Sequence, residues 1–186
     1  KDKKLIEHSR EEVLLYKLNP DHLLRFVINT NRDFIEYIDI DVANSFTWHN
    51  SEMQVPMSMA FKEIQLLEVK YGNETHYIKK FNTTFEFLFL IMHLYREAWF
   101  YKRSLQWNSD VNLKKFFDVY QYLIKYEKSI FDRAFNKKIK SLGFLRPFKW
   151  VVIHIDNIFD SNFSENIDTT DIDENYLYGA FMSKGK

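Results

Sequence analysis

The sequence predicts an α+β protein, with a strand and hairpin portion first and an α-helical bundle after it. Two observations support this. Between about residues 34 and 80 apolar residues recur with period two and are interrupted by turn signals, whereas from Thr83 onward they recur at helical spacing over four successive segments. The chain of 186 residues is 46% hydrophobic and 18% aromatic with only four glycines, enough for a packed core in one domain or one and a half small ones.

The elements follow in order. In "SREEVLLYKL", Val13, Leu14 and Leu18 fall near one helical face, and Ser9 with Glu12 three residues on has the spacing of a capping box. "NPDHLLRFVI" reads as a second short helix or turn, with Pro20 at a plausible first position. From Phe34 the alternation "FIEYIDIDVANSF" predicts a half-buried strand, and after the polar "WHNSEM" a short helix leads to the strands "QLLEVKY" and "HYIKKF", joined as a hairpin through "GNE".

Thr83 or Thr84 then caps a helix in which Phe87, Leu90, Ile91, Leu94 and Ala98 recur. Its apolar surface is too wide for a lone surface helix, so it should be central. "SDVNLKKFFDVYQYLIKYE" is the next helix, with Leu113, Phe116, Phe117, Tyr120, Leu123 and Ile124 inward. "SIFDRAFNKKIKSLGF" follows, ending at Gly143, and "FKWVVIHIDNIFD" is the fourth. The remainder, 161–186, is acidic without sustained periodicity and reads as a flexible tail with one short helix around "ENYLYGAF". Its "DTTDIDENY" lacks the glycine and terminal glutamate of a calcium loop.

Lysine plus arginine equals aspartate plus glutamate, 26 each, so no global polyanion-binding field is implied. The absence of cysteine removes disulfides, thiolate zinc sites and cysteine nucleophiles, and fits a reducing cytoplasm. The longest greasy run, "FEFLFLIM", is too short to span a bilayer, so no membrane partner is expected. The first residue is Lys1, which suggests a piece of something longer.

Four groups of residues suggest chemistry. Asp39 and Asp41 alternate with Ile38, Ile40 and Val42, so both carboxylates project from one strand face, as a metal or general-base site requires; a wet edge strand bearing acids to discourage aggregation is the plainer alternative. His93 and Glu97 are four apart on one helical face with Arg96 adjacent, and Lys115 and Asp118 are three apart on another. The run "RAFNKKIKSLGFLRPFKW" gathers Arg133, Lys137, Lys138, Lys140, Arg146 and Lys149 beside aromatics, which suits either an RNA acceptor or a solvated helix face.

The segments "SREEVLLYKL", "IEYIDIDVANSFTWHNSE", "FNTTFEFLFLIMHLYREAW" and "DVNLKKFFDVYQYLIKY" resemble, in order and spacing, the uncharacterised nucleotidyltransferase family of the polymerase-beta-like superfamily, whose members occur in bacteria. The resemblance implies that 1–80 is the C-terminal part of a nucleotidyltransferase-like αβ domain with a partial mixed sheet, followed by a helical bundle over 81–160. It also implies that Asp41, with Trp48 after it, stands at the third metal-binding carboxylate, with Asp39 on the same face. Magnesium ions held there would clamp a nucleoside triphosphate. The resemblance includes the "HLYREA" pattern without giving it a role, and His93 and Arg96 are candidates to line the nucleotide site. "LKKFFDVYQYL" also looks like a helix motif of AbiEii-like nucleotidyltransferase toxins, which would make Lys115 a phosphate contact and Asp118 a polar organiser or base.

The chain departs from the family in one respect. No "GS" and no alternating acidic pair precede Asp39, so two of three metal-binding carboxylates are missing. An N-terminal segment or a partner chain would have to supply them. The expected function is transfer of a nucleoside monophosphate from the triphosphate to an acceptor that the residues do not identify: small molecule, peptide or RNA. The alternatives are a non-catalytic protein- or peptide-binding module of degenerate fold and a toxin-like enzyme that modifies RNA.

Overall fold

The computed structural model describes residues 9–17, 24, 26–40, 42–43, 53, 55–100 and 113–178. The protein is α+β, and its contacts divide it into two compact units, Lys1–Met57 and Ser58–Lys186. Where the sequence suggests a boundary near residue 80, the second hairpin therefore groups with the helices.

In the first unit, helix α1 spans Arg10–Lys17. Glu12 N donates to Ser9 Oγ at 3.2 Å while Ser9 N donates to Glu12 Oε2 at 2.9 Å, the reciprocal capping box that the spacing predicts. Strands β1, Phe26–Arg32, and β2, Ile35–Ile40, pair antiparallel with Asp39 opposite Val27 and an irregularity between Asn29 and Arg32. "FVI", expected in a short helix or turn, is thus strand. An apolar run that short has no period to distinguish the two, and pairing with β2 decides. Phe34, expected to begin a strand, sits in the turn. The half-buried expectation for β2 also fails, because Ile38 and Ile40 are 48% and 42% exposed. Among the described residues no layer covers this two-stranded ribbon, so neither of its faces is an inner one.

Helix α2, Met57–Phe61, crosses the division between the units. In the second unit, β3, Ile64–Tyr71, and β4, Glu74–Phe81, form the predicted hairpin. Tyr71 faces Glu74 across a two-residue turn whose Gly72 has φ 58°, a conformation that disfavours side chains. The two hairpins are separate antiparallel sheets, and no parallel pair occurs among the described residues.

Helix α3, Thr83–Tyr95, begins one residue earlier than the threonines suggest, because Asn82 is the cap and its side-chain oxygen accepts from Phe85 N at 3.0 Å. It buries Phe85, Phe87, Leu88, Ile91 and Leu94, more than one face, and is central as expected. Helices α4, Leu113–Ile130, α5, Arg133–Ser141, and α6, Leu145–Phe159, pack around it or on one another. On α4 the buried stripe is Phe116, Val119, Leu123 and Ile130, narrower than predicted; Leu113, Phe117 and Ile124 stay exposed. Gly143 takes φ 78° after α5, as its predicted capping role requires. At the centre, Phe87 meets the rings of Tyr122, Phe135 and Phe148 at 5.3, 5.9 and 6.1 Å.

The segment expected as a flexible tail is packed as far as Tyr178. Phe163 is buried, Trp150 Nε1 donates to Leu177 O at 3.1 Å, and the Tyr95 and Tyr176 hydroxyls lie 2.8 Å apart. Helix α7, Glu174–Leu177, is the short helix the sequence suggests. A few anchors hold a mostly polar segment, and composition averages them away.

One anchor is Asp156 of α6, which accepts from Ser161 Oγ at 2.7 Å, Phe163 N at 2.9 Å and Ser164 N at 2.7 Å. Burial pushes its carboxyl up, but the donors of Ser164, Ser161 and Phe163 outweigh burial and hold it below the usual range. Asp156→Asn should cost about 1 kcal/mol, because an amide NH₂ would face the Ser164 N–H. Hydrogen exchange at the Ser164 amide should speed up; unchanged protection there would contradict this anchoring.

Candidate functional site

The last turn of α3 continues into a π-helical turn, Arg96–Phe100, and brings His93 and Glu97 onto the side facing α4. Glu97 Oε1 lies 3.1 Å from His93 Nε2, and its other oxygen accepts from Lys115 Nζ on α4. Lys115 Nζ also lies 3.4 Å from His93 Nε2. When Nε2 carries the proton donated to Glu97, that approach is a charge contact and not a second hydrogen bond.

Glu97 is held at a pKa of about 2. The hydrogen bond from His93 lowers it most, burial opposes, and the hydrogen bond and charge of Lys115 add to the lowering. A carboxyl so acidic is ionised throughout the neutral range and makes a poor general base there. Its work is positional: it fixes the Lys115 ammonium against α3.

These groups border a cavity of about 210 Å³ lined by Phe89, Leu90, His93, Leu94, Lys114, Lys115 and Asp118. The Phe89 and His93 rings stack with centroids 6.1 Å apart. Asp118 pairs with Lys114 at 2.6 Å, not with Lys115 as the spacing of three suggests. Residues four apart overlap well on a helix, and Lys115 reaches the less exposed Glu97 of the π-helical turn instead.

His93, Lys115 and Asp118 line one cavity. Arg96 begins the π-helical turn beside them but does not line the cavity. Asp39 is exposed on the β1–β2 hairpin of the first unit. Asp41 and Trp48 lie outside the described residues. Sequence reasoning missed Phe89, Leu90 and Lys114 as cavity lining. Phe89 and Leu90 look like further core in an apolar helix, and Lys114 looks like an outward charge.

Among the described residues no group of three or more histidines, aspartates and glutamates could hold a metal ion. Asp39 alone does not make a magnesium site, since the ion needs one or two carboxylates together with substrate phosphates in octahedral geometry. The described residues thus do not complete a metal centre. Among them, no helix is long and apolar enough to cross a membrane. No protein family, curated protein or solved structure matches this chain.

Proposed function

We propose that this chain is part of a nucleotidyltransferase, contributing a nucleotide-binding wall to an enzyme that moves a nucleoside monophosphate from a triphosphate to an acceptor. The observation that supports this is the meeting of His93, Lys115 and Asp118 at one cavity with an aromatic flank. The stacked Phe89 and His93 rings offer a surface for a base, and Lys114 and Lys115 offer charge to phosphates. Phosphate would then replace the carboxylates of Asp118 and Glu97 as their partner. The carboxylates for magnesium would have to lie outside the described residues.

The exposed Leu66, Tyr71, Tyr77 and Ile78 of the β3–β4 hairpin support the idea that strands from elsewhere complete the sheet. The same surface favours a second reading, a non-catalytic module that binds a protein or peptide, and the neutralised lysines at the cavity agree with it.

Titration in magnesium with an ATP analogue fluorescent in its base, read by the quenching that stacking on the Phe89 and His93 rings would produce, separates the two. Binding by the wild type and about tenfold weaker binding by Lys115→Met, worth about 1.4 kcal/mol, are expected of a nucleotide wall. Wild-type protein that ignores the nucleotide, or a Lys115→Met protein that binds it equally, would defeat the nucleotidyltransferase reading.

A further inference from the structure

A second concavity, of about 500 Å³, lies in the helical unit between α5 and the segment after α6, lined by Arg133, Asn136, Lys137, Lys140, Leu145, Lys149, Asn166, Ile167 and Asp168. Arg133, Lys137 and Lys140 stand at i, i+4 and i+7, so they share one face of α5 and spread over about 10 Å of helix. All three are exposed. Among the described residues none of the three has an ion-pair or hydrogen-bonding side-chain partner. Lys138, one residue from Lys137, is by contrast paired with Glu63 at 2.6 Å.

The fourth cation differs. Lys149 is the buried charged residue of the described core, its side chain 7% exposed, and it is paired with Asp171. The acid that lines the groove, Asp168, already accepts from Thr170 N at 3.0 Å and Thr170 Oγ1 at 2.7 Å. Those two bonds hold its carboxyl below the usual range, so it stays ionised and offsets one positive charge. The groove keeps a surplus of fixed positive charge in a concave setting, where field lines are focused and an anion is concentrated.

We propose that this groove binds a small ligand bearing two or more phosphate groups in a row. The volume lies within the range of small-molecule sites, about 300–1,000 Å³. Three lysine and arginine heads strung along one helix face match a chain of phosphates better than a single anion. No aromatic ring is among the lining residues, so the stacking platform that single-stranded RNA uses is missing. The inference does not depend on the nucleotidyltransferase reading, since it uses a different cavity.

Calorimetric titration at low salt with inorganic triphosphate, ATP and a short single-stranded RNA tests the site, using wild type, Lys137→Ala/Lys140→Ala and Lys115→Met. In Lys115→Met, where the first cavity has lost its phosphate contact, triphosphate and ATP should still bind this groove with similar affinity, and in the double variant that component should weaken at least tenfold. Failure of both phosphate ligands to bind at millimolar concentration would overturn the proposal. So would equal binding by the double variant, which would place the phosphates elsewhere, or binding of RNA alone with loss in the double variant, which would make the groove a nucleic-acid contact. Circular dichroism of the double variant checks that the exposed substitutions leave the helices intact.

Discussion

Phe87→Ala is expected to destabilise the helical unit by about 3–5 kcal/mol, the largest effect of any single substitution considered for this protein. Phe87 is fully buried, and its ring touches three others from three different helices: Tyr122 of α4, Phe135 of α5 and Phe148 of α6. Truncation removes the transfer energy of the ring and leaves a void that four rigid elements collapse into poorly. Tyr122 adds stiffness, because its hydroxyl lies 3.0 Å from Thr83 O and 3.1 Å from Glu86 Oε2 and donates its one proton to either acceptor, so it does not swing into the space. The contrast is Phe117→Ala. That ring is 46% exposed and leans on Tyr120 and Phe159, so its loss should cost under about 1 kcal/mol. Urea unfolding followed by far-ultraviolet circular dichroism compares the two. Equal midpoint shifts would mean that the three-helix contact around Phe87 is misjudged.

The second large effect concerns Glu97. Its pKa in the folded protein is about 2, below its ordinary value of 4.5, so the unfolded chain binds more protons in that window. Stability contributed by Glu97 is therefore fully present above about pH 4.5 and is lost as the pH falls towards 2. Discounted for a side chain 30% exposed, the contribution is about 1–2 kcal/mol. Glu97→Gln should lose that amount at neutral pH and flatten the acid limb of the stability profile. It also removes the carboxylate that joins Lys115 to His93, so the contact between α4 and the π-helical turn loosens in the variant. Urea unfolding followed from acid to neutral pH compares the variant with wild type. An unchanged acid limb, or no loss of stability at neutral pH, would show that His93 and Lys115 do not hold Glu97 as described.

Much of the fold is legible in the sequence where a signal is local or strongly periodic. The capping box at Ser9 and Glu12 and the β3–β4 hairpin around Gly72 follow from residue spacing alone. Four helical segments after Thr83 follow from periodicity and one glycine stop. Legibility fails where a short apolar run meets a partner: "FVI" in β1 carries no period that separates strand from helix, and β2 settles the matter. It fails again in the tail, where Asp156, Trp150 and Tyr95 hold a polar segment from a distance of many residues along the chain.

The candidate site divides in the same way. That His93 and Glu97 share a helix face is determined by the sequence, because four residues make about one turn. That Lys115 turns across to Glu97 and leaves Asp118 to Lys114 was decided by tertiary structure, since only the packing of α3 on α4 sets which carboxylate lies in reach. The three exposed cations of α5 are written in the sequence as a basic stripe. Their concavity was decided by the chain that returns after α6 to form the opposite wall. Local spacing fixes which side chains share a face; the neighbour across the gap fixes what they do there, and no spacing along one segment encodes that neighbour.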